Sequence, residues 1–176
     1  MLPLSLKEQL RLKGIELPPP FRSVGLYKPV SIDGNRLYVS GHGPWVNGKP
    51  IVGKLGWSLD LEEGKAAARQ VGLGILSTIE NEVGLDRIER LYRAFGMVNA
   101  NPTFTSHPEV IDGFSELMQL AFGPEHGVGA RSAIGVASLP FNIAVEVECE
   151  FILYDLCHSA LASAMRVKRF PESLAA

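Results

Sequence analysis

The sequence lacks the features by which several large classes of protein are recognised. Its 17 Lys and Arg residues are balanced by 19 Asp and Glu, for a net charge of −2, so it has no basic excess of the kind that a nucleic-acid-binding domain usually carries. It has no apolar run near the ~18 residues that a membrane span requires. Its first residues mix charged and apolar side chains, unlike a signal peptide. We therefore expect a cytoplasmic protein whose partner is neither a membrane nor a nucleic acid.

Cysteine and histidine are also scarce. The two cysteines, Cys149 and Cys157, form no Cys-x-x-Cys motif. Because Cys149 falls in a strand-like segment, we interpret it as a small buried apolar residue. The four histidines show no spacing typical of metal ligands, so we expect no metal site.

The chain instead contains a succession of amphipathic segments, without repeats or low-complexity runs. Residues 1–21 are predicted to form a short helix, about 5–13, and a connector, because three consecutive prolines cannot continue a helix. Residues 22–155 are predicted to form the main domain. Residues 156–176 are predicted to be a tail that could hold a further short helix.

Alternation of apolar and polar residues predicts five strands in the main domain. The first two are joined by a turn at Asp33-Gly34, and a short additional strand is predicted near Ile51-Val52. The five strands lie in SVGLYKPV (23–30), NRLYVSG (35–41), 88–99, 131–138 and 144–154.

Two long helices are predicted from apolar residues that recur at steps of three and four. The first begins at Asp60, with Glu63 at the spacing of a capping box, and the second begins at Ser106, with Glu109 at the same spacing. The order of elements is therefore β-β-α-β-α-β-β. This order favours an α+β fold in which two helices cover one face of a sheet.

The last two predicted strands combine an arginine with several carboxylates. In the preceding strand Ile134 marks the apolar face, which puts Arg131 and Ala133 on the same face as the glutamates. This face is either the solvated outer side of an open antiparallel sheet or a ligand site in which Arg131 clamps a carboxylate. The glutamates alternate with apolar residues in the final strand and are Glu146, Glu148 and Glu150.

ARSAIGVASLP (130–140), followed by VEVE (145–148), resembles the signature of the reactive-intermediate deaminase family, also called YjgF-like proteins or L-PSP endoribonucleases. LYVSG (37–41) and GMVNA (96–100) are similar to the family too, and the resemblance extends over about residues 22–154. It implies a chorismate-mutase-like fold with a mixed β-sheet. It also implies a homotrimer whose sheets pack at the centre, with ligand pockets in the clefts between adjacent subunits.

The resemblance further implies hydrolysis of enamine and imine intermediates, such as 2-iminopropanoate, to a 2-keto acid and ammonia. Carried over by position, Arg131 would bind the substrate carboxylate and Glu148 would position or activate the attacking water. An imine carbon needs only water, a proton donor and a fixed orientation, so no cofactor is expected. The other residues expected to contact the substrate are Tyr27, Ser40, Gly41 and Ala133.

Two residues depart from the family pattern near the expected pocket. His42, followed by Gly43, stands where family members usually have a glutamine, and it is either an ordinary loop histidine or a proton donor. Asp112 aligns with an asparagine in the second helix and would place a negative charge beside the substrate carboxylate.

The same residues fit a second class of function, the non-catalytic binding of a small carboxylate ligand. Arg131 with Glu148 favours chemistry, whereas the changed loop at His42 leaves the binding protein open. Endoribonuclease activity, which the family's older name suggests, is disfavoured by the acidic face and the absence of a basic patch.

Overall fold

The computed structural model describes residues 4–20 and 25–154. The predicted C-terminal helix falls outside these residues. The predicted order of elements is present, with an additional small hairpin after the second strand. The elements are α1 (Leu6–Leu12), β1 (Val30–Asp33), β2 (Arg36–His42), β3 (Trp45–Val46), β4 (Lys49–Pro50), α2 (Leu61–Glu82), β5 (Ile88–Asn99), α3 (His107–Phe122), β6 (Ala130–Val136) and β7 (Val145–Leu153).

Five strands form one mixed sheet in the order β1-β2-β7-β5-β6. All neighbouring strands are antiparallel except β5 and β6, which run parallel because α3 carries the chain back to the starting edge between them. Both β1 and β6 are edge strands. The α+β fold with a mixed sheet is therefore confirmed.

The core lies between this sheet and the two long helices. The predicted apolar stripes of α2 and α3 are buried, as are the inward-facing residues of β7. Gly72 lets the helices approach each other, because a Cβ there would lie 2.8 Å from Leu117 Cδ2 and 3.3 Å from Met118 Cε. This glycine therefore serves close contact with α3, not with the sheet.

Helix α1 packs into the same core. Its apolar residues Leu6 and Leu10 are buried, and the Leu6 backbone N–H donates to Asp86 Oδ1 at 3.0 Å. A capping box between Ser5 and Glu8 starts the helix. The N-terminal segment is thus anchored to the main fold by burial and by hydrogen bonds.

Three predicted details are wrong. Strand β1 lies later than predicted, because the tight turn falls at Gly34-Asn35 and lets Val30–Asp33 pair with β2. Val52 only bridges to Ile143, and the local strands are β3 and β4 instead. Ser106 makes no capping hydrogen bond: its ψ is 39°, whereas Asp60 has the extended backbone (ψ 179°) that lets its side chain accept from Glu63.

Candidate functional site

Four of the eight predicted site residues line two separate clefts. The first cleft, of about 90 Å³, contains two of them, Tyr27 and Gly41. It lies at the end of β2, beside the connection between β6 and β7. The remaining lining residues are Gly43, Trp45, Pro140, Phe141, Ile143 and Glu146.

The carboxyl group of Glu146 lies in the first cleft, directly against Gly41. A Cβ on Gly41 would overlap Glu146 Oε1 and lie 3.0 Å from Glu146 Cδ, so only glycine leaves room for the carboxyl group. The register of β2 against β7 shifts between Val39 and His42, and this irregularity includes Ser40 and Gly41. Burial raises the pKa of Glu146, and the neighbouring Glu148 carboxylate raises it further. Glu146 therefore has the partly desolvated environment of a proton-transferring group.

The other two glutamates of β7 lie outside the first cleft. Glu150 lies 3.7 Å from both Arg36 and Arg93, so its charge is balanced on the sheet surface. Glu148 is exposed and pairs with Phe95 of β5. The glutamate that lines the cleft is thus Glu146, whereas the sequence analysis gave the water-positioning role to Glu148. Strand alternation puts all three glutamates on one face and does not distinguish among them.

The second cleft, of about 310 Å³, lies between α3 and the edge strand β6 and contains Arg131 and Asp112. Arg131 Nη1 donates to Asp112 Oδ1 at 2.8 Å and to Ser115 Oγ at 2.9 Å, and Nη2 donates to the Pro108 carbonyl at 3.3 Å. Asp112, which departs from the family pattern, therefore forms an ion pair with Arg131, the residue predicted to bind the substrate carboxylate.

The predicted face of β6 is wrong. Arg131 is in register with Ala94, which in turn is in register with the buried Cys149, so Arg131 faces the helices and not the glutamates. Ala133 shares that face and packs against the core. The reason is the close approach of α3: a Cβ on Gly135 would overlap the His107 ring. The small residues therefore face the helix, and Ile134 faces outward with 42% of its surface exposed.

His42 does not lie in either cleft. It ends strand β2 and is buried, with Nδ1 2.6 Å from the Ser40 carbonyl and Nε2 2.9 Å from Thr78 Oγ1. Burial lowers its pKa, which the hydrogen bond to Ser40 partly offsets. A neutral ring that donates from Nδ1 and accepts from Thr78 satisfies both contacts. The interpretation of His42 as a loop residue is wrong, and its position does not suit a proton donor to substrate.

Ser40 does not line the first cleft but forms hydrogen bonds to the segment next to Tyr27. Its hydroxyl donates to the Lys28 carbonyl at 2.8 Å, and its backbone N–H donates to the Pro29 carbonyl at 3.0 Å. These bonds hold the segment that carries Tyr27, whose side chain is 45% exposed at the cleft.

Over residues 4–20 and 25–154, no cluster of three or more side chains is suited to hold a metal ion. In the same ranges no helix has the length and apolar character to cross a membrane.

The structure is that of an α+β protein with a mixed five-stranded sheet. The sequence matches the family described as "YjgF/chorismate_mutase-like, putative endoribonuclease" over residues 7–151. The chain therefore belongs to the YjgF/chorismate mutase-like family.

Three relatives illustrate the similarity. Protein TCP17 of Trypanosoma cruzi is 40% identical over 141 residues, which cover 79% of this chain and 88% of TCP17. Atu1372 of Agrobacterium tumefaciens, a protein of unknown function, is 34% identical with a TM-score of 0.78 over 85% of this chain and 92% of its own. A structure from Shewanella oneidensis, described as that of "a putative endoribonuclease", is 32% identical with a TM-score of 0.81 over 85% of this chain and all of its own.

Proposed function

We propose that the protein hydrolyses small imines and enamines that carry a carboxylate, of the 2-iminopropanoate type, to a 2-keto acid and ammonia. The active site would form between two copies of the chain in a homotrimer. The first cleft of one copy would supply Tyr27, Gly41 and Glu146. A neighbouring copy would supply Arg131.

One observation carries the proposal of a shared site. Arg131 faces the helices and Glu146 faces the opposite side of the sheet, and the two residues line different clefts. A single chain therefore does not present both groups to one small substrate. An oligomer in which the edge strand β6 of one copy meets the first cleft of the next would bring them together.

The outer face of the sheet supports packing between copies. Four large side chains surround the glutamates there, and Tyr38 (39% exposed) and Ile134 (42% exposed) are open to solvent in the single chain. Large apolar side chains that are grouped on one exposed face favour an interface. The other two side chains are Phe95 and Met97, which are in register with Glu148 and Glu146.

The chemistry requires one group that takes and returns a proton. Glu146 accepts a proton from water while the water oxygen bonds to the carbon of the protonated imine, which gives a neutral carbinolamine. It then returns the proton to the nitrogen, the C–N bond breaks and ammonia leaves, and the Glu146 carboxylate takes the hydroxyl proton to complete the keto acid. Burial raises the pKa of Glu146, which makes its carboxylate a stronger base than that of an ordinary glutamate. We expect this reaction in the cytoplasm, consistent with the free buried thiol of Cys149.

Ammonia release tests the proposal. 2-Iminopropanoate is generated in situ, and its hydrolysis is compared for the wild-type protein, Glu146→Gln and Glu150→Gln. We expect Glu146→Gln to reduce turnover about 100-fold or more, because the amide is a poor base, and Glu150→Gln to change it little. Equal rates with and without the wild-type protein would contradict the proposal.

One observation favours the alternative of a non-catalytic ligand-binding protein. His42 is buried, with Nε2 2.9 Å from Thr78 Oγ1, and so it does not offer a proton to a substrate in the first cleft. Binding of 2-keto acids without ammonia release would support this alternative. Ribonuclease activity is the least favoured, since Glu146 and Glu148 would repel a phosphate backbone, and a metal-free RNA cleavage assay tests it.

A further inference from the structure

The strongest remaining feature is the ion pair inside the second cleft. Arg131 and Asp112 are joined at 2.8 Å, and their side chains are 24% and 44% exposed. The pair is therefore accessible to a ligand in the cleft, whose volume of about 310 Å³ suits a small molecule.

The pair leaves hydrogen-bonding capacity unused on both sides. Arg131 uses Nη1 for Asp112 and Ser115 and Nη2 for Pro108, and within the described residues its Nε–H has no acceptor. Asp112 accepts through Oδ1, and Oδ2 has no donor among the same residues. The cleft thus has a cationic side chain with an unused donor beside an anionic side chain with an unused acceptor.

The charged side chains next to the Arg131–Asp112 pair also form an ion pair with each other, so they add little net charge to the cleft. Glu116 also lines the cleft, but Lys65 Nζ lies 3.0 Å from its Oε1. Ser115 contributes a neutral hydroxyl. The local charge is therefore close to zero, arranged as a dipole from Asp112 to Arg131.

We infer that Asp112 is a specificity-determining residue, which makes the Arg131 subsite select ligands with a carboxylate and a protonated nitrogen attached to the same carbon. Such a ligand places its carboxylate on the free edge of Arg131 and its nitrogen on Asp112 Oδ2. A ligand that carries only the carboxylate gains the first contact but is repelled by Asp112. This inference deepens the proposed function and rests on it for the role of Arg131. It implies that protonated 2-imino acids are bound in preference to the 2-keto acids that they yield.

Binding of a matched pair of ligands tests the inference without relying on turnover. L-Alanine and L-lactate share one shape and differ in having an ammonium or a hydroxyl group beside the carboxylate. We expect calorimetry to show that the wild-type protein prefers alanine. Asp112→Asn should weaken alanine about tenfold and strengthen lactate about tenfold, the range for charge pairs that are partly screened by solvent. Asp112→Glu, which keeps the charge, should preserve the preference.

Two controls separate selectivity from a structural effect. Ser115→Ala removes a hydrogen bond to Arg131 without changing charge, so it should weaken both ligands alike. Arg131→Ala should abolish binding of both. The inference is overturned if Asp112→Asn shifts both ligands in the same direction or shifts neither, or if the wild-type protein binds neither ligand at millimolar concentration. Ammonia release by the wild-type protein alongside such a result would leave the proposed function standing.

Discussion

An alanine at position 41 should remove activity while leaving the fold almost intact. Its Cβ would overlap Glu146 Oε1 and lie 3.0 Å from Glu146 Cδ, so the carboxyl group must move by about 1 Å to regain ordinary contact. The obstructing atoms belong to the end of a flexible side chain and not to the backbone. The side chain can therefore yield at little cost to folding.

The expected magnitudes differ strongly between the two properties. Misplacing a catalytic group by about 1 Å costs roughly 100-fold in rate. The free energy of unfolding should change by less than about 1 kcal/mol, because loss of glycine's freedom in the unfolded chain offsets part of the rearrangement.

Ammonia release and urea unfolding measure the two properties for Gly41→Ala. Gly74→Ala is the matched control, since a Cβ there meets only His42 Cδ2, at 4.0 Å, and an alanine within α2 should stabilise the protein by up to about 1 kcal/mol. Turnover by folded Gly41→Ala within twofold of wild type would refute the placement of Glu146 in the mechanism.

Three further predictions follow from burial and charge. The acid limb of the pH–rate profile should move to lower pH in Glu148→Gln, because the Glu148 carboxylate helps raise the pKa of Glu146; an unmoved limb would show that the two groups are not coupled. Burial lowers the pKa of His42, so the unfolded chain binds a proton that the folded chain excludes, and stability should fall as the pH drops below about 6.5. Urea titrations should show a flatter pH dependence in His42→Gln, and an unchanged slope would contradict the buried placement. Leu10→Ala should lower the free energy of unfolding by about 3 kcal/mol, and a loss below about 1 kcal/mol would show that α1 lies outside the cooperative core.

The helices could be predicted from local signals. Asp60 and Glu63 form the capping box that their spacing predicts, because the backbone at Asp60 is extended. Ser106 has the same spacing to Glu109, but the chain enters α3 with a different backbone conformation, which the residue types do not determine.

The arrangement of the site depends on tertiary contacts that the sequence does not carry. The alternation of apolar residues predicted that Ile134 faces the helices. In the structure α3 approaches β6 so closely that only the small residues Ala133 and Gly135 fit on that face. Glu146, and not Glu148, lies against Gly41 in the first cleft, although strand alternation puts both glutamates on one face. Both features become visible only when the neighbouring element is in place.

The central claim is that Arg131 of one copy and Glu146 of another act on the same substrate. Arg131→Ala and Glu146→Gln should each be inactive alone. Because each site needs one intact residue from each neighbour, randomly mixed trimers of the two variants should recover about a quarter of wild-type ammonia release. Mixed oligomers that remain as inactive as the separate variants, while wild-type trimers are active, would contradict a site shared between subunits.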